Sequence, residues 1–222
     1  MKHVRSDKYN VAWFALAECI SRGEKERALG VYRLLSHSID DPALKSQLEA
    51  DILWSFNDQK AIKKYQDAAE TYKKEQHFLE AAAVFEHLVV LVPDSLYYLD
   101  MLIALYKELG CRAKATQYAM ILIALACKQK DLKKAIEVME QVESNLELSQ
   151  AGGLYQQLVL ALLREEDAPH DTVIVYMKKA VDSFLAHNQS KALQQFLSKL
   201  QTMSNRSYQQ ACRYIEKDNK TN

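Results

Sequence analysis

The sequence predicts an all-α fold, a solenoid of about twelve antiparallel helices, and three observations carry that expectation. Two stretches of 34 residues, Ile62–Ser95 and Leu96–Gln129, follow one another without a gap and can be laid in register. Tyr65 then falls on Leu99, Ala68 on Leu102, Tyr72 on Tyr106, Ala81 on Ala115 and Leu88 on Leu122. In both stretches apolar residues recur three and four apart on either side of a short polar break, the pattern of two amphipathic helices. Helix-breaking residues are scarce, with 5 Gly and 3 Pro in 222 residues. A helix pair of this kind cannot bury its apolar face alone and stacks on its neighbours. The chain is therefore expected to form one helical-repeat domain over residues 1–222, with its clearest repeats at 62–95 and 96–129 and a weak division near 145–153.

The first helix is expected from about Asp7 to Arg22, with Trp13 and Phe14 as bulky anchors, and Gly23 supplies its stop. The second, about Glu24 to Ser38, places Ala28, Val31, Tyr32 and Leu35 on one side. Asp40, Asp41 and Pro42 form a helix-start signal. The third helix, Pro42 to Phe56, carries Leu44, Leu48, Ile52 and Phe56 at four-residue steps, with Trp54 off that line. Asn57 and Asp58 open the fourth helix, which enters the first 34-residue stretch. Ala28 and Ala81 begin two second helices yet lie 53 residues apart, one repeat plus about one extra helix.

After the second stretch, Ala135 follows Ala115 by only 20 residues. The helix from Arg112 to Cys127 must then close one pair and open the next, and its apolar run Tyr118–Cys127 suits a helix covered on several sides. Gly152 and Gly153 lack the further glycine, or the lysine and hydroxyl, of a phosphate loop and read as a tightly packed or flexible helix position. The ninth helix is expected to reach Arg164, Asp171 to cap the tenth, and Ser190–Met203 and Arg206–Glu216 to form the last two. The polar end, Lys217–Asn222, is expected to fray.

Composition narrows function by exclusion. Lys+Arg and Asp+Glu balance at 29 each and no basic run stands out, so the footprint of a nucleic-acid binder is missing. The polar start shows no signal peptide, and the longest apolar run is too short to span a bilayer, so no integral membrane segment is expected. The four cysteines, Cys19, Cys111, Cys127 and Cys212, form no CxxC and read as reduced thiols of a cytoplasmic protein. His3, His37, His77, His87, His170 and His187 make no ligand cluster, and no GxSxG, P-loop or dinucleotide fingerprint occurs. Ser36, His37 and Asp40 have the residue types of a triad but sit at a helix end, where capping accounts for them. No metal, cofactor or catalytic residue is expected, and the chain is read as not an enzyme.

The stretch around Tyr65, Ala68, Ala69 and Tyr72, followed by Ala81, Phe85, Leu88 and Pro93, resembles the tetratricopeptide repeat. Leu99, Leu102, Tyr106 and Ala115 continue the pattern, while Ile103, Ala119 and Cys127 depart from it. The resemblance implies a right-handed solenoid whose concave groove is lined from the first helix of each pair. On these positions the groove is expected to present Lys63, Gln66, Glu70 and Lys73, then Tyr97, Asp100, Ala104 and Lys107. Asp67 and Met101 stand where a carboxylate-clamping member of that family would need Asn or Arg, which argues against such a clamp. The function implied is a non-catalytic scaffold or adaptor that takes a peptide or helix of a partner protein. Lys60 to about Gly110 also resembles the SNAP adaptors of membrane-fusion machinery. A secretion chaperone of the same repeat class is a third reading, and an enzyme using helical carboxylates a fourth.

Overall fold

The computed structural model describes residues 3–145 and 148–221. Among them are twelve α-helices and no strand, an all-α, solenoid-like fold. The chain falls into two compact units, Met1–Gly110 and Cys111–Asn222. The boundary lies inside the second 34-residue repeat, between its two helices. Leu146 and Glu147, within the division expected at 145–153, lie outside the described residues, as does Asn222 at the end expected to fray.

The first unit holds α1 (His3–Ser21), α2 (Lys25–Ser36), α3 (Pro42–Ser55), α4 (Lys60–Lys74), α5 (Phe78–Leu91) and α6 (Leu96–Glu108). Each helix packs on the next in sequence. The α3–α4–α5 layer is the densest part, and its interface is built from alanines: Ala43, Ala50, Ala61, Ala68, Ala69, Ala81 and Ala82 have no exposed surface. Small side chains let backbones approach, and Tyr65, Tyr72, Phe85 and Leu88 fill the space between turns.

Two kinds of turn join the helices. The tight kind ends a helix on a left-handed residue: Gly23, Asn57, Gln76 and Gly110 in this unit, Lys130 and Asn188 in the other. At five of these the next N–H reaches back to a carbonyl five residues earlier, as from Glu24 to Cys19 and from His77 to Tyr72, both 2.9 Å, which is Schellman geometry. Gly23 and Asn57 lie 34 residues apart, as do Gln76 and Gly110, so the turns keep the repeat even where side chains have diverged. The other kind is polar and capped. Asp41 Oδ1 accepts from the N–H groups of Ala43 and Leu44 at 2.8 and 2.9 Å, with Pro42 opening α3. The α3–α4 and α4–α5 turns are both of the tight kind, at Asn57 and Gln76.

Two sequence expectations are corrected here. Trp13 and Phe14 do not anchor α1: Phe14 is 76% exposed, and the cluster beneath α1 is Leu16, Cys19, Ala28, Tyr32, Leu35 and Ile52. In α3 the line through Leu44 is not the sole buried face. Leu48, Ile52 and Phe56 pack toward the α1–α2 cluster, while Ala43, Ala50 and Leu53 are also buried and Leu44 is exposed. A helix covered on two sides shows no single apolar stripe.

The second unit holds α7 (Arg112–Gln129), α8 (Leu132–Val142), α9 (Leu148–Leu162), α10 (His170–Ala186), α11 (Ser190–Met203) and α12 (Asn205–Thr221). α7 packs on both α8 and α9, which accounts for its nearly continuous apolar run. Pro169, rather than Asp171, is the N-cap residue of α10, and Asp171 sits in the first turn. Gly152 is buried where α9 crosses α10: a Cβ there would lie 2.8 Å from Phe184 Cε1 and 3.0 Å from Ser183 Oγ. Of the two readings of the paired glycines, this is the packed one.

Candidate functional site

Of the residues expected to line the groove, Tyr97 of α6 bonds to Glu70 and Gln66 of α4, and the lysines of α4 find other partners. Lys63, Gln66, Glu70 and Lys73 recur along one face of α4. The Tyr97 hydroxyl, at the start of α6, donates to Glu70 Oε1 and also engages the Gln66 side chain. Burial, followed by the Glu70 hydrogen bond, pushes the Tyr97 hydroxyl up to about 12. Its ring is braced edge-on by Phe85 at 6.4 Å and by Tyr98 at 5.6 Å, so an aromatic that remains 43% exposed is held in place. Lys73 Nζ lies 3.3 Å from Met101 Sδ, and Lys63 pairs with Asp67 at 3.0 Å. Asp67 and Met101 are the two residues that replace a clamp's Asn or Arg, and here each engages a groove lysine. Asp100 and Ala104 follow on α6 with Lys107 one turn on, and both Asp100 and Lys107 are engaged in interactions of their own. The result is a polar face bearing both charge signs, with one fixed aromatic, supported by two helices.

A different face of α4 carries Tyr65 and Tyr72, about 130° round the helix from the groove residues. There α3 and α5 flank α4 and leave an open cleft of about 570 Å³. Tyr65 and Tyr72 line it from α4; Asp51 and Trp54 line it from α3, and Glu80 and His87 from α5. The Tyr65 hydroxyl donates to Asp51 Oδ1 at 2.6 Å, and the His87 ring stands edge-on to Tyr65 at 4.8 Å. The sequence sets Trp54 off the α3 stripe and His87 outside any ligand cluster, and neither observation points to this cleft. The available signal was a shared period: Gln47, Asp51 and Trp54 on α3 match Glu80, Ala83 and His87 on α5 at three- and four-residue steps.

In the second unit, Glu143 receives Tyr155 Oη at 2.7 Å and pairs with Lys179 at 2.6 Å. Lys179 lies over the Tyr176 and Tyr155 rings at 5.3 and 5.9 Å. Burial pushes the Glu143 carboxyl up, but the hydrogen bonds from Lys179 and Tyr155, with the lysine charge, outweigh it and hold it below the usual range. A lysine so paired, beside two stacked rings, links the short helical turn Glu143–Asn145, α9 and α10. No disulfide joins any two of the four cysteines, and burial pushes the Cys127 thiol up to about 11, away from nucleophilic character at neutral pH. His37 is the C-cap residue of α2, and Ser36 Oγ donates to its own helix at Arg33 O, 2.8 Å. Among the described residues no three His, Cys, Asp or Glu side chains gather as a metal site, and no helix is long and apolar enough to cross a membrane.

No protein-family model matches the chain, and no curated protein matches it. A solved structure to which it is similar is that of BtubC (BKLC) from P. vanneervenii, at 13% identity over 98% of this chain and 93% of that one, with a TM-score of 0.32. A likeness at that score carries no argument about function.

Proposed function

We propose that the protein is a non-catalytic interaction scaffold, built as a right-handed tetratricopeptide-like stack, that takes a peptide or helix of a partner protein on the α4–α6 face. The observation that supports this reading most is the braced Tyr97. An exposed aromatic ordered by Glu70, Gln66, Phe85 and Tyr98 offers a large contact area whose rotamer freedom is already spent. Pre-organised aromatics of this kind are what interface hot spots are made of. Lys63 and Lys107, both exposed at its margins, supply polar contacts at the rim. An adaptor of the SNAP kind and a secretion chaperone are the narrower forms of this reading. They differ in the partner captured: a helical bundle for the first, a single unfolded client for the second.

Comparative affinity purification tests it, using the intact chain and a variant with Lys63→Ala, Tyr97→Ala and Lys107→Ala together. The expected result is loss of the proteins recovered with the intact chain while the variant's helical circular dichroism is retained. Equal recovery by both would discredit the assignment of this face.

A further inference from the structure

The cleft between α3 and α5 has a chemistry of its own. Tyr65 and Tyr72 line its floor but are buried, 3% and 5% exposed, and the half-buried Trp54 on α3 is its accessible aromatic. Its rims are acidic, with Asp51 on α3 and Glu80 on α5, and neither lysine nor arginine lines it. α5 has no basic residue except His87, α3 has only Lys45, and Lys64 of α4 is spent on Glu49 at 2.8 Å. Negative charge also gathers at the Tyr72 end: after burial, the charges that raise its hydroxyl are those of Asp41, Glu80 and Glu75. Outside the lining, Leu44 near the start of α3 and Val90 near the end of α5 are exposed apolar side chains, 37% and 76%. An open cleft with such side chains beyond its lining suits a polypeptide better than a small molecule.

We propose that this cleft receives an arginine side chain of a partner polypeptide, its guanidinium lying against Trp54 and pairing with Asp51 and Glu80. Three properties select arginine. The group is planar and stacks on aromatic faces. It carries the charge that the acidic rims lack. It also donates in a fork, and Asp51, with Oδ1 taken by Tyr65, presents Oδ2 to accept. The flanking segment of the partner would lie along Leu44 and Val90. This site is on a different face of α4 from the Glu70 that Tyr97 bonds to, and it does not rest on the function proposed above.

The test uses Trp54 as reporter. Trp13 and Trp54 are the two tryptophans, so Trp13→Phe leaves the one in the cleft. The probes are acetyl-glycyl-arginyl-glycinamide and the same peptide with citrulline, the uncharged isostere of arginine. The expected result is a saturable change in Trp54 emission with the arginine peptide, weakened by salt, and at least about tenfold weaker with citrulline. D51N with E80Q is expected to weaken the arginine response by a similar factor, while Tyr97→Phe leaves it unchanged. An equal response to both peptides, or no saturable response to arginine at millimolar concentration, would overturn the proposal. The citrulline comparison needs no change to the cleft, so it stands even if the acidic variant folds poorly.

Discussion

Gly152 is the glycine at which an added methyl group would collide with a neighbouring side chain. The added Cβ would sit 2.8 Å from the Phe184 ring, and Phe184 is itself packed on Phe196 at 6.1 Å, so the ring has little room to retreat. Gly152→Ala is expected to lose about 1–3 kcal/mol of stability by overpacking, read from chemical denaturation; Gly153→Ala, with nothing within 4 Å, is the matched control. A loss of the same size at Gly153 would contradict this packing account. The tyrosines make a second residue-scale prediction. Burial is the first cause that pushes Tyr32 and Tyr176 up to about 12 from 10.0, with nearby carboxylates adding to it. A pKa raised on folding favours the protonated phenol, so its contribution is intact below pH 10 and is lost as pH rises toward 12. Absorbance titration of the phenolates is expected to lag behind that of model tyrosine and to coincide with loss of helix. Simple titration near pH 10 with helices intact would contradict it.

At the scale of the element, the turns are the regular feature. Lys130 is left-handed at φ 65 and Gln76 at φ 63, conformations that cost a side-chain-bearing residue about 1 kcal/mol. Lys130→Gly is therefore expected to stabilise by about 0.5 kcal/mol, after allowing for the greater freedom of glycine in the unfolded chain; a lower melting temperature would count against the turn geometry. Within α5, Phe85 is fully buried between packed helices, and Phe85→Ala is expected to cost about 3–5 kcal/mol. Legibility in the sequence follows how local the cause is. Asp41–Pro42 could be read because a carboxylate capping two N–H groups is settled within four residues. The helix at about Ser190 to Met203 could be read because its apolar stripe faces one way. α1 was misread because Trp13 and Phe14 look like core by type, whereas the packing face is set by where α2 lies. The left-handed turns at Gln76 and Lys130 were invisible, since neither residue type favours that conformation. The α3–α5 cleft was missed because its two rims come from helices with a third between them.

At the scale of the whole chain, two compact helical units carry the fold, and the candidate surfaces belong to the first. The shared face of Lys63, Gln66, Glu70 and Lys73 on α4 was readable because it follows from helical spacing within one repeat. The bond from Tyr97 to Glu70 was not, since the two lie 27 residues apart and meet through packing. The function proposed needs the α4–α6 face to touch another protein, and site-specific photocrosslinking tests that contact most directly. A benzophenone amino acid at Ala104, exposed on α6, is set against one at Leu34, 74% exposed on α2. The account predicts a discrete protein adduct from position 104 and none from position 34; adducts from 34 with none from 104 would contradict it.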